Sequence, residues 1–191
     1  VAPQPGPIGN APRGLFQTPR PADRLVRAIQ AAMAAGPGLD PALVNDAIIG
    51  CSFPEAEQGF NIARNAILLA GLPNTVGGVT VNRYCASGIT AIAMAADRIR
   101  VGEAEVMIAG GVESMSMVPM MGNKLSASPV LMRTHASAYT PMGITAENVA
   151  REFKISREDQ DQFAYQSHMQ ATKARESRAC EQEIVAVKGG R

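Results

Sequence analysis

The chain has 191 residues, 46% of them hydrophobic and 18% charged, with a formal net charge of +1. That length and balance describe a globular protein with one sizeable domain and room for part of a second, and they exclude a disordered chain. Near-neutrality gives no electrostatic case for nucleic acid or an anionic membrane surface, and no apolar run approaches the roughly 20 residues of a membrane span.

Residues 1–20 read as loop, with prolines at 3, 5, 7, 12 and 19. A helical pattern opens at Pro21, where Leu25, Ile29, Ala32 and Met33 share a face, and Gly36-Pro37 ends it. Ala47-Ile48-Ile49, within Val44 to Gly50, predicts a short buried strand, and Gly59 to Ala70 a second helix stopped by Gly71-Leu72-Pro73. Val79 to Arg83 is β-branched and follows Gly77-Gly78, which predicts a second strand. Ala86 to Arg100 is apolar around most of its circumference, with Ile89, Ile92, Ala96 and Ile99 at helical spacing, and this predicts a buried helix. Glu105 to Ala109 predicts a third strand ending at Gly110-Gly111. Strands alternating with helices indicate a layered α/β domain with a mainly parallel sheet.

After about residue 115 the texture changes. Met115, Met117, Met120, Met121, Met132 and Met142 lie in a long irregular stretch rich in Ser, Pro and Gly. Two helices are expected beyond it. One runs from Thr145, as a cap, to Phe153, and the other opens at the capping box Ser156-Arg157-Glu158-Asp159 and continues to about Ser177. Ile184 to Val187 reads as a strand. The division expected is residues 1–115 as the nucleophile-bearing domain and 116–191 as the start of a second.

Cys51, Cys85 and Cys180 are the only cysteines, without CxxC spacing, and read as free thiols of a reducing compartment. His135 and His168 stand apart from any metal-like cluster, so no metal is expected. The N-terminus lacks a basic-then-apolar signal pattern, which makes the cytoplasm the expected location. Cys85 is the residue of chemical interest. It stands where a strand runs into a helix with almost no linker, and unpaired N–H groups at a helix start favour a thiolate and can bind an oxyanion. Ala86, Ser87 and Gly88 are small enough to admit an acyl chain. From position alone, Cys85 reads as a nucleophile or as a packing thiol, since no base is adjacent in sequence.

Four segments add to this. Val79–Ile92 (VTVNRYCASGITAI) resembles the active-site segment of the thiolase family. Gly110–Ser116 (GGVESMS), Met142–Ala150 (MGITAENVA) and Ser156–Asp161 (SREDQD, followed by Phe163-Ala164) resemble its later motifs in the same order. The resemblance runs over about residues 8 to 188 and implies the N-terminal half of a thiolase-like fold, a mainly parallel mixed sheet flanked by helices, with the second half absent.

It also implies an acyltransferase working through an acyl-cysteine on Cys85, whose backbone N–H helps form an oxyanion hole. Its reactions would be thiolytic cleavage of 3-ketoacyl-CoA or the reverse condensation of acetyl-CoA. Met142 would face substrate; Pro141 stands where some members carry histidine. No bound cofactor is implied: acyl-CoA and coenzyme A are the substrates, and the assembly expected is a homodimer or homotetramer. The Pro12-Arg13-Gly14 start leans towards degradative members.

The family's Gly-His-Pro base and Cys-x-Gly cysteine are not in these residues, so the chain is expected to be catalytically incomplete without a second half. A non-catalytic assembly or CoA-binding module and a related condensing enzyme are the alternatives. Of the other side chains, Cys51 is expected in the core, Cys180 and His168 at the surface, His135 in the irregular stretch, Glu113 as a loop-fixing carboxylate, and Arg83 at the strand-helix turn or a subunit contact.

Overall fold

The structure, a computed structural model, describes residues 2–11, 13–181 and 183–187. It divides into two compact units, Val1–Lys124 with Glu183–Arg191, and Leu125–Gln182.

The first unit is layered. Its sheet holds β1 (Val44–Gly50), β2 (Val79–Val81) and β3 (Val106–Gly111) in the order β2-β1-β3, all parallel. β1 is central, and its continuous apolar run is explained by burial on both faces. Ala47 and Ile49, with Cys51 just beyond, join Leu25 and Ile29 of α1 (Pro21–Ala34) and Ile62, Ala63, Ala66 and Ile67 of α2 (Ile62–Leu69). Ile48, one residue out of phase, faces the other way, onto Ala91 and Ala95 of α3 (Ser87–Arg100), together with Val81, Met107 and Ala109. The two-residue period of one strand thus divides the core between two helical layers. At the far end of α3, Arg98 Nη1 bonds Asp46 Oδ2 of β1 at 2.6 Å and Nη2 reaches Glu103 Oε1 at 3.0 Å.

Several expectations need correction. The second helix starts at Ile62, not Gly59, because Phe60 and Asn61 have φ of 52° and 56°, outside the helical region. Asn61 instead caps α2, its side chain accepting from Arg64 N, and its amide donates to Gly78 O at 2.8 Å. The second strand stops at Val81, two residues early, because the chain turns there into α3. α3 is buried on one side only. Ala91 and Ala95 are inside, whereas Ile89 is 72% exposed, and Ile92 and Ile99 also face outward. Residues Ile184–Val187 form no strand. Val185 N donates to Pro5 O at 2.9 Å, and one such bond is not a ladder.

The second unit is helical, with α4 (Pro129–Thr134), α5 (Met142–Glu152) and α6 (Arg157–Glu176). α5 begins three residues before the expected Thr145 cap. Pro141 occupies the cap position, and Thr145 Oγ1, already inside the helix, donates to Pro141 O at 3.3 Å. α6 opens on the capping box, with Ser156 Oγ accepting from Asp159 N and the Asp159 carboxylate accepting from Ser156 N. No described helix is long and apolar enough to cross a membrane.

Candidate active site

The site is built at the C-terminal ends of β1 and β3, where the first turn of α3 meets them. Gly50 ends β1, and a Cβ added there would come within 2.6 Å of both Gly88 N and Ser87 O, and closer still to Ser87 C. The helix start can press on the strand end only because residue 50 has no side chain. Gly111, at the end of β3, faces the same place: its added Cβ would lie 3.3 Å from Gly50 O and 3.6 Å from Gly88 Cα.

Cys85 lies in the five-residue link Asn82–Ala86 and is exposed. Tyr84, just before it, has φ 47°, in the left-handed region. Its N–H donates to Asn82 Oδ1 at 2.8 Å, and its ring centroid is 6.1 Å from that of Phe53. Ala86 N donates to Arg83 O and Ser87 N to Tyr84 O, each at 3.0 Å, and Thr90 N takes Ala86 O as the helix begins. Among the described residues, the N–H groups of Cys85, Gly88 and Ile89 have no hydrogen-bond partner. Cys85 comes just ahead of the first turn of α3, and N–H groups at a helix start are donors able to hold an oxyanion formed when a thiol attacks a carbonyl. The anchoring expected of Arg83 falls to its backbone, whose N–H donates to Ser87 Oγ at 2.8 Å.

Behind this turn lies a polar cluster. The Glu113 carboxylate accepts from Ser52 N at 2.7 Å, from Gln58 Nε2 at 2.7 Å and from the Cys51 thiol at 3.8 Å. Gln58, wholly buried, also donates to Phe53 O at 2.8 Å and accepts from Ser114 N. Arg24 Nη2 donates to Glu113 O at 3.0 Å. Glu113 therefore ties the loop after β1 to the loop after β3, and both loops border the turn that carries Cys85. Cys51 is 1% exposed; burial, and then the Glu113 charge, push its thiol up from 9.0 to about 12.

Two outcomes follow for Cys51. A thiol reagent should modify Cys85 and Cys180, both exposed, and leave Cys51 unmodified until the protein unfolds, which peptide mapping after timed labelling would reveal. The sign of its pH effect is also fixed. Below pH 9 the thiol is neutral in both states and contributes no slope. Between pH 9 and about pH 12 the unfolded thiol ionises first, so stability falls as pH rises. The urea midpoint should drop across that window, and Cys51→Ala should flatten the drop.

The remaining sequence candidates belong to the second unit. Met142 is the first residue of α5, in the second unit, and is 73% exposed. His135, Cys180 and His168 also belong to that unit; His135 ends α4, and Cys180 and His168 are exposed. The first unit contains no histidine. No group of three or more His, Cys, Asp or Glu able to hold a metal occurs among the described residues. Gly50, Gln58 and the bridging role of Ser87 escaped the sequence reading. A glycine closing a buried strand was the available signal for the first, and nothing local marked the other two.

Known proteins share this fold. Residues 1–191 match the family model for the thiolase N-terminal domain. The chain is 46% identical over 181 residues to a 3-ketoacyl-CoA thiolase of Bacillus subtilis (strain 168), across 95% of this chain and 46% of that protein. The crystal structure of the Bacillus anthracis acetyl-CoA acetyltransferase matches with a TM-score of 0.83 and 35% identity, over 100% of this chain and 51% of that one. Human mitochondrial 3-ketoacyl-CoA thiolase, solved in complex with CoA, matches with a TM-score of 0.83 and 32% identity, over 98% and 50%. The chain spans about half the length of the curated relatives it matches. With its layered parallel sheet and the four ordered motifs, the chain belongs to the thiolase family.

Proposed function

We propose that this chain carries the nucleophile of a thiolase-type acyltransferase that exchanges acyl groups with coenzyme A through an acyl-Cys85. In thiolysis the Cys85 thiolate attacks the 3-keto carbonyl carbon of the 3-ketoacyl-CoA; in the reverse direction it attacks the thioester carbonyl carbon of acetyl-CoA. The oxyanion is held by N–H groups at the start of α3. The tetrahedral intermediate collapses to an acyl-thioester on Cys85. In thiolysis the C2–C3 bond breaks and acetyl-CoA leaves once its α-carbon takes a proton, whereas from acetyl-CoA the CoA thiolate leaves. The acyl group then passes to the CoA thiol in thiolysis or to the deprotonated α-carbon of a second acetyl-CoA in condensation. Ping-pong kinetics follow from that order. The observation that carries this reading is the exposed Cys85 thiol just ahead of the first turn of α3, in a member of this family.

In this reading residues 1–115 bear the nucleophile and residues 116–191 begin a substrate-covering domain in which Met142 faces the acyl-CoA. The substrate is a 3-ketoacyl-CoA cleaved by CoA, or acetyl-CoA in the reverse condensation, within the fatty-acid chemistry of a reducing cytoplasm. The working form is a homodimer or homotetramer. Because the first unit has no histidine, the proton of Cys85 goes to a base supplied from outside it, and full activity needs the second half that the relatives possess. Mixing the protein with acetyl-CoA, with the second half supplied, should release up to one equivalent of free CoA per Cys85 in a burst. A missing burst would overturn the reading.

The outward stripe of α3, Ile89, Ile92 and Ile99, favours a second reading, in which the chain by itself is an assembly module without turnover. Thiolysis by the isolated chain at the rate of a complete enzyme would eliminate it.

A further inference from the structure

A bulky residue stands in the left-handed region only where its surroundings hold it there, and Tyr84 at φ 47° is such a residue. Asn82 Oδ1 accepts from its N–H at 2.8 Å, and the hydroxyl of Ser87 holds its other side. Ser87 is 3% exposed, so its hydroxyl is shielded from water. Its Oγ accepts from Arg83 N at 2.8 Å and donates to Tyr84 O at 2.6 Å, while its own N–H reaches the same carbonyl at 3.0 Å. One side chain thus clasps the backbone from Arg83 N to Tyr84 O.

The carbonyl it holds belongs to the peptide that joins Tyr84 to Cys85. That peptide is planar and its N–H points opposite its C=O, so fixing Tyr84 O also fixes the direction of Cys85 N–H. Cys85 N–H is one of the unpartnered donors beside the thiol. The close approach of the Ser87 backbone to Gly50 anchors the clasp to the end of β1.

We infer that Ser87 is a positioning residue for acyl transfer: its hydroxyl locks the Tyr84–Cys85 peptide so that Cys85 N–H faces the developing oxyanion. This rests on the reading of Cys85 as the acyl-accepting nucleophile. It differs from a purely structural role in one respect. Alkylation of a thiol by iodoacetamide develops no oxyanion, so it needs the thiol but not the oriented N–H. Attack on a thioester needs both.

The test compares Ser87→Ala and Ser87→Thr with the unaltered protein, with the second half supplied. For each, the rate of acetyl transfer from acetyl-CoA to Cys85 and the rate of iodoacetamide alkylation at Cys85 are read by peptide mass mapping. Rates are scaled to the folded fraction, counted as molecules in which Cys51 resists labelling. Should Ser87→Ala fail to fold, Ser87→Cys, of similar shape but a weaker hydrogen-bonding group, takes its place. Ser87→Ala is expected to slow acetyl transfer at saturating acetyl-CoA by about tenfold or more, since losing a whole oxyanion donor costs about a hundredfold or more. Half-saturation should be unchanged, alkylation should change less than about threefold, and the hydroxyl of Ser87→Thr should restore transfer. Equal slowing of transfer and alkylation, or no slowing of either, would overturn the role of Ser87 and leave acyl transfer standing. Absence of acetylation in the unaltered protein would overturn acyl transfer itself, and this inference with it.

Discussion

Gly50→Ala is expected to destabilise the first unit by about 3 kcal/mol or more, at the severe end of what overpacking costs. The new methyl would fall within 2.6 Å of Gly88 N and Ser87 O. These are backbone atoms and cannot step aside by a rotamer change. Either α3 lifts off β1 or β1 shifts in the sheet, and both open the cluster of Ile48, Ala91 and Ala95. Gly88→Ala provides the contrast, because a Cβ added at Gly88 meets nothing within 4 Å. Alanine suits a helix better than glycine, so that variant should be neutral or slightly more stable. Urea midpoints of the two variants would separate them. Equal midpoints would mean that the close approach of α3 to β1 is not what holds the turn.

Glu113→Ala should cost about 3 kcal/mol, because it strips the shared acceptor from Ser52 N and the wholly buried Gln58 amide. Hydrogen bonds to a charged group contribute about 1.5–3 kcal/mol each, and the wholly buried Gln58 amide would lose one of its two acceptors. Cys51 supplies an independent readout. The Glu113 charge is the second cause, after burial, of its raised thiol pKa, so the variant should bring that thiol part of the way down and reduce the loss of stability between pH 9 and about pH 12. A urea midpoint unchanged by Glu113→Ala would remove this cluster as the support of the two loops around the site.

How much of this was legible depended on where the deciding information lay. β1 was readable because Ala47-Ile48-Ile49 is apolar without alternation, the pattern of a strand covered on both faces. The capping box at Ser156 was readable because both of its bonds are local. α3 is expected to be buried all round and is buried on one side only. Its sequence is apolar nearly all round, and apolar residues do not say whether the cover lies in these residues or elsewhere. The run Ile184–Val187 carries strand propensity, but a strand needs a ladder, which propensity does not supply. α5 starts three residues before Thr145: Thr145 is a good cap residue, but the chain turns into the helix at Pro141.

At the site, Cys85 stood out by its place just ahead of an apolar helix, but the link from strand to helix is five residues long rather than nearly absent. The positive φ of Tyr84 did not stand out, because no bulky residue advertises it. The clasp by Ser87 depends on that φ, and the crowding of Gly50 depends on how α3 docks. Both are tertiary facts.

The central claim is that Cys85 accepts an acyl group. Its most direct measurement is the mass of the peptide carrying Cys85 after incubation with acetyl-CoA, with the second half supplied. An acetyl adduct on Cys85 that disappears in Cys85→Ala, with Cys51 unmodified, is the result expected. No adduct, or an adduct that persists in Cys85→Ala, would contradict it.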